Sequence, residues 1–118
     1  MAGIKSYGAY IPYYRLSRSE IAKVWAGPAL PGERSVANYD EDSITMAVEA
    51  AFDCIKGRDG QKVDGLFFAS TTSPYTEKQC AALIATVLDM GKEIRTADFA
   101  HCLRAGTSAL RAALDAVR

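Results

Sequence analysis

The clearest structural signal in the sequence is Ile94-Arg-Thr-Ala-Asp-Phe-Ala-His-Cys-Leu-Arg-Ala-Gly-Thr-Ser-Ala-Leu110. It predicts a short buried strand, a tight turn, and a helix whose apolar residues recur at helical spacing from Gly106 onward. Cys102 therefore lies where a strand is followed by a helix. A thiol there would be close to the positive end of the helix dipole and to free backbone N–H groups, which favour the reactive thiolate. A free cysteine can equally be a buried packing residue, and the sequence leaves both interpretations open.

Upstream of this stretch, apolar patterns, caps and breakers predict further strands and helices. A proline ends the first strand, an S-x-x-E capping box opens the first helix, and a continuous apolar run suits a strand buried on both faces. The predicted elements are a strand over Gly3–Ile11, a helix over Ser17–Trp25, a helix from Ser43 to a stop at Gly57, a polar turn over Gly57–Gly60, a strand over Val63–Ser70, and a helix over Glu77–Met90.

Alternation of strands and helices predicts an α/β fold with a mostly parallel sheet and helices on both faces. Ligands of such sheets bind beyond the carboxyl ends of the strands, where Ser70–Tyr75 and His101–Gly106 would lie. Three parallel strands would leave open sheet edges, and the last helix runs into Arg118 without a capping signal. We therefore expect the chain to be the front portion of a larger protein, or one member of an assembly.

Composition narrows the classes of function. The 118 residues suit one small domain, and a formal net charge of zero argues against a nucleic-acid partner. No apolar run approaches the roughly 20 residues needed to span a bilayer, so no membrane segment is expected. The three cysteines, Cys54, Cys80 and Cys102, form neither a disulfide nor a zinc pattern. We expect a cytoplasmic protein without a metal site.

Three stretches resemble archaeal-type 3-hydroxy-3-methylglutaryl-CoA synthases: Tyr13-Tyr-Arg-Leu-Ser-Arg-Ser-Glu-Ile-Ala-Lys-Val-Trp25, Gly32–Ala51 with its run Asp40-Glu-Asp-Ser-Ile-Thr-Met-Ala-Val-Glu-Ala-Ala51, and Arg104-Ala-Gly-Thr-Ser-Ala-Leu110. The resemblance implies the thiolase-like fold of two similar halves. Residues 1–118 would be a partial N-terminal domain with its first three strands and their helices, the second half being absent. The family forms a thioester on a cysteine at a strand-to-helix turn and joins a second acyl-CoA carbon to it.

The resemblance also implies the site and the partners. Cys102 would be the catalytic nucleophile, CoA thioesters would be substrates with no further cofactor, and homodimers would pair the strand Ile94–Ala100. Arg104, beside the turn, can attract a CoA phosphate or a substrate carboxylate, although a surface arginine near a helix start has the same sequence signature.

Two positions depart from the family pattern. In Ala69-Ser-Thr-Thr-Ser-Pro-Tyr75, Thr71 stands where the family has a glutamate that acts as general acid and base. A threonine hydroxyl can bind a substrate but cannot exchange protons near neutral pH as a carboxylate does. Condensing enzymes of the ketoacyl-synthase III type also lack this acid, and use histidine and asparagine from their second half. Thr71 is therefore more compatible with a related acyl condensation or thiolysis than with the synthase reaction.

The second departure is that Cys102 precedes Thr107 by five residues rather than four, which puts Leu103 at the strict position of the nucleophile. Either the turn has one extra residue and Cys102 still serves as the nucleophile, or the nucleophile has been lost.

Two functions follow: an acyltransferase of the hydroxymethylglutaryl-CoA synthase or ketoacyl-synthase III type, or a non-catalytic thiolase-like scaffold that pairs with an active partner. In either case we expect no turnover from the 118 residues alone.

Overall fold

A computed structural model of the chain describes residues 3–57 and 63–118. These residues form two compact units, one made of residues 3–10 and 43–118 with that gap, and the other of Ile11–Asp42. The elements in chain order are β1 (Tyr14–Ser17), α1 (Arg18–Trp25), β2 (Glu33–Val36), α2 (Ser43–Ile55), β3 (Gly65–Ser70), α3 (Cys80–Val87), β4 (Arg95–Ala100) and α4 (Ala105–Ala116). Within the described ranges no helix is long and apolar enough to cross a membrane.

The larger unit is built on a parallel pair of strands. β3 and β4 pair from Gly65 with Arg95 to Ser70 with Ala100, and α3 makes the crossover between them. Successive side chains of a strand point to opposite faces. Phe68 therefore packs against α3, whereas Phe67 and the residues of its face lie beside α4. Helices cover both faces of the pair, as the α/β pattern predicted.

The core lies between β3, α2 and α3. Its members are apolar side chains with relative exposures of 9% or less, so they are held away from water: Ile44, Val48, Phe68, Cys80, Ala81, Ile84 and Leu88. Cys80 is a packing residue of this core, because its side chain is fully buried. Cys54 is half-buried on α2.

The start of α3 is set by a residue from another element. Its N-cap, Gln79, makes no side-chain capping bond. Instead the carboxylate of Asp98 on β4 accepts hydrogen bonds from Cys80 N at 2.6 Å and Ala81 N at 2.8 Å. The helix predicted from Glu77 therefore begins only at Cys80. A cap supplied from a residue 18 positions away leaves no local signature.

The predicted strand over Gly3–Ile11 is wrong, because the structure assigns no strand to these residues. The segment lies along α2 instead. Ser6 Oγ donates to the carbonyl of Cys54 at 2.6 Å, and Ala9 N donates to Asp53 Oδ2 at 3.1 Å. Gly8 approaches the helix so closely that a Cβ at this position would meet the backbone of Ala50 and Cys54. The predicted turn over Gly57–Gly60 lies mostly outside the described residues.

The smaller unit is an antiparallel hairpin with a helix in its connection. β1 and β2 pair from Tyr14 with Val36 to Ser17 with Glu33. Ser17 Oγ accepts a hydrogen bond from Ser19 N at 3.2 Å and caps α1, as the capping pattern predicted. The sequence did not predict these strands, because each has only four residues and lacks an alternating buried face.

Candidate active site

The turn between β4 and α4 presents Cys102. β4 ends at Ala100 and α4 begins at Ala105, so the turn occupies residues 101–104. His101 has a left-handed backbone with φ of 66°, which non-glycine residues adopt uncommonly. Ala105 N donates to the carbonyl of Cys102 at 3.1 Å and closes the turn. The Cys102 side chain is exposed, so the thiol can meet a substrate from solvent.

The residues after Cys102 begin the helix without a polar cap. Arg104 holds the N-cap position of α4, and its side chain makes no capping bond. Its carbonyl accepts hydrogen bonds from Ser108 N at 2.9 Å and Thr107 Oγ1 at 3.0 Å. Leu103 is 97% exposed. The structure thus brings Cys102, Leu103 and Arg104 together at an uncapped helix start, where amide groups and the helix dipole favour negative charge.

Thr71 lies in the neighbouring loop. Ser70, the last residue of β3, accepts a hydrogen bond from Thr72 N at 3.0 Å, and Thr72 O accepts one from Ser43 Oγ at 3.0 Å. Thr71 itself is exposed. Because β3 and β4 are parallel and Ser70 pairs with Ala100, the loops with Thr71 and Cys102 leave the same edge of the sheet. This is the edge at which the sequence predicted the site.

The smaller unit holds a cleft that sequence reasoning missed. It has a volume of about 290 Å³ and lies against α1 and β2. Trp25 is 81% exposed, and no ion pair to Arg18 or Arg34 occurs within residues 3–57 and 63–118. Two uncompensated guanidinium groups beside an indole suit an aromatic anion. The lining residues are Arg18, Ile21, Ala22, Trp25, Gly27, Pro28, Leu30 and Arg34.

The chain has close relatives among curated proteins, although no family model matches it. The hydroxymethylglutaryl-CoA synthase of Pyrococcus furiosus is 39% identical over 115 residues, which are 95% of this chain and 33% of that protein. The synthase of Methanocella arvoryzae is 37% identical over 123 residues, covering 98% of this chain and 35% of that protein. The chain is homologous to part of the hydroxymethylglutaryl-CoA synthases. It resembles the N-terminal part of these synthases and spans about a third of their length.

Solved structures agree on the fold. A hydroxymethylglutaryl-CoA synthase complexed with CoA superposes with a TM-score of 0.83 at 22% identity, over 98% of this chain and 31% of that one. The β-ketoacyl-[acyl carrier protein] synthase III of Thermus thermophilus superposes with a TM-score of 0.78 at 22% identity, over 95% of this chain and 37% of that one. The predicted thiolase-like fold is confirmed. The roles of Cys102, Thr71 and Arg104 stay predictions.

Proposed function

We propose that the full-length protein is an acyl-CoA condensing enzyme of the hydroxymethylglutaryl-CoA synthase or ketoacyl-synthase III type, with Cys102 as its nucleophile. The observation that carries this proposal is the exposed thiol of Cys102 at the uncapped start of α4, in a chain homologous to the synthases. The Cys102 thiolate attacks the thioester carbonyl of an acyl-CoA, and CoA leaves as its thiolate. A carbon of a second acyl-CoA then becomes nucleophilic by losing a proton to a base or by losing CO2, attacks the acyl-cysteine carbonyl, and releases the Cys102 thiolate.

Groups of the candidate active site would stabilise the negative charge that develops in these steps. The N-terminal amides of α4 would stabilise the oxyanion of the tetrahedral intermediate. Thr71 would hydrogen-bond the substrate through its hydroxyl, and Arg104 would attract a carboxylate or phosphate. Thr71 cannot serve as the general base, so the proton transfers need a group outside the residues of this site.

The cleft in the smaller unit supports CoA as the acyl carrier. The adenine ring can stack on Trp25, while Arg18 and Arg34 bind phosphate oxygens. A structural neighbour of the chain is described as complexed with CoA. CoA thioesters would thus be substrates, with no separate cofactor.

Replacing both arginines of the cleft tests this assignment. In the full-length protein, Arg18→Gln with Arg34→Gln is expected to weaken CoA binding about 10²- to 10⁴-fold, because each of the two lost charge-assisted hydrogen bonds contributes about 1.5–3 kcal/mol. Isothermal titration calorimetry with CoA measures the change. Lys23→Gln is the matched control, since Lys23 lies on the same helix, is paired with Glu20 and does not line the cleft. Unchanged CoA affinity in the double variant would rule the cleft out as the CoA site.

The outer edge of β4 supports a homodimer. Among the described residues β3 is the only strand that pairs with β4, so the second edge of β4 can receive another strand, except that Thr96 O already accepts from Gln79 Nε2. Such an edge is a template for pairing with another strand. We propose that two copies pair through Ile94–Ala100.

A labelling experiment tests the proposed chemistry. The full-length protein is incubated with radiolabelled acetyl-CoA, digested under acidic conditions, and the labelled peptide is identified by mass spectrometry. The proposal requires the label on the peptide that contains Cys102. Label confined to Cys54 or Cys80, or no label at all, would refute it.

A scaffold subunit without chemistry is the second candidate. It is favoured by Leu103, which holds the family's strict nucleophile position and is 97% exposed, and by Thr71 in place of the acidic residue. This candidate predicts that the wild-type protein takes no label and that Leu103→Cys gains one. A wild-type label on Cys102 that is unaffected by Leu103→Cys would exclude it.

A further inference from the structure

The half-buried carboxylate of Asp98 connects the two loops of the candidate active site. Asp98 lies on β4, four residues before Cys102. Its two oxygens accept hydrogen bonds from the first amides of α3, at 2.6 Å from Cys80 N and 2.8 Å from Ala81 N. Hydrogen bonds to an ionised acceptor are stronger and more directional than neutral ones. The helix α3, which follows the loop of residues 71–79, is therefore fixed by β4, the strand that precedes the Cys102 turn.

A second pair of contacts reinforces the first. Gln79 Nε2 donates to Thr96 O at 3.0 Å, and Thr96 Oγ1 donates to Gln79 Oε1 at 2.8 Å. The other end of the loop is held where Ser43 Oγ donates to Thr72 O. Residues 71–79 form the loop that we name the Thr71 loop. It is thus fixed at both ends, and at one of them by β4 itself.

We infer that Asp98 is a positioning residue that holds the Thr71 loop in a fixed geometry relative to Cys102. The catalytic consequence rests on the proposed function, because only then do Thr71 and Cys102 act on one substrate. Asp98 acts through the backbone of α3, since both of its oxygens accept helix amides on the face opposite Phe67. Misplacing a substrate-binding group by about 1 Å can lower a rate about 10²-fold.

Asp98→Asn in the full-length protein tests this inference, because it keeps the side-chain volume but replaces one acceptor by an amide donor. We expect kcat for acyl transfer from acetyl-CoA to fall about 10- to 100-fold. The KM for acetyl-CoA should stay within about twofold, since Asp98 lies outside the arginine cleft. Amide hydrogen exchange in residues 76–84 should become faster, while exchange in α2 is unchanged. The matched control is Asp115→Asn, an exposed aspartate paired with Arg111, which should change none of these quantities.

Each outcome decides a separate point. Unchanged exchange in residues 76–84 would refute the connection itself, and faster exchange with unchanged kcat would refute its catalytic consequence. Faster exchange throughout the protein, with kcat and KM both altered, would reduce Asp98 to a general stability role. Thr96→Val removes only the hydroxyl bond to Gln79 and is the second variant if Asp98→Asn does not fold. A wild-type protein that takes no acyl label refutes the proposed function, whereas the exchange data still test the connection.

Discussion

Replacing Cys102 by alanine is expected to abolish formation of the acyl-enzyme and to lower the rate of condensation at least about 10³-fold, because removing a nucleophile removes the whole covalent route. The side chain is exposed and forms no part of the buried core, so the variant should fold as the wild type does. Mass spectrometry of the protein after incubation with acetyl-CoA detects the acyl adduct, and the melting temperature checks the fold.

The control for this variant is Cys54→Ser. Cys54 is a half-buried residue of α2 whose carbonyl, rather than its thiol, bonds to Ser6. This substitution should leave the acyl adduct in place. An adduct that persists in Cys102→Ala, or one that disappears only in Cys54→Ser, would contradict the assignment of the nucleophile.

Replacing Gly8 by alanine is expected to destabilise the protein by about 3 kcal/mol or more, at the upper end of the usual cost of overpacking. The new Cβ would meet the carbonyl oxygen of Ala50 and the amide nitrogen of Cys54, and would lie 2.8 Å from the Cα of Cys54. These are backbone atoms of α2, which cannot rotate away as a flexible side chain does. The midpoint of urea denaturation of the full-length protein measures the loss.

Gly3→Ala is the matched control in the same segment. A Cβ at Gly3 would meet nothing within 4 Å, so the free energy of unfolding should change by less than about 0.5 kcal/mol. Equal denaturation midpoints for Gly8→Ala and the wild type would show that the N-terminal segment does not pack against α2 as described.

The sequence predicted those strands and helices whose pattern of apolar residues indicates which face is buried. β3, β4, α2 and α4 were predicted to within a few residues, since each has a regular apolar run or face. The hairpin of β1 and β2 was missed, because short polar strands are determined by their pairing rather than by local preference. The strand predicted over Gly3–Ile11 failed for the converse reason: its apolar residues alternate, but its polar contacts are made to α2.

The candidate site also contains some parts that the sequence predicted and some that it did not. Cys102 and the loop that contains Thr71 were found from the sequence because each follows a predicted strand, and the carboxyl ends of parallel strands share one edge. Thr71 itself was singled out by the resemblance to the synthases. The cleft was not found, because Arg18 and Arg34 are 16 residues apart and only the hairpin brings them to one side of Trp25. A lone arginine beside a serine-rich helix start carries no signal for an anion site.

The alternation of Asp98 and Phe99 has a consequence for how the chain avoids misfolding. If β4 slid by one residue against β3, the charged oxygens would move in among the phenyl rings and alanines beside α4, and a phenyl ring would face the bare amides of α3. Burying a charge without a partner among apolar groups costs free energy, and so does leaving the first amides of α3 without a hydrogen-bond acceptor. Asp98 thus makes the shifted alignment unfavourable on both faces of the strand pair, and so favours the native register of β4 against β3.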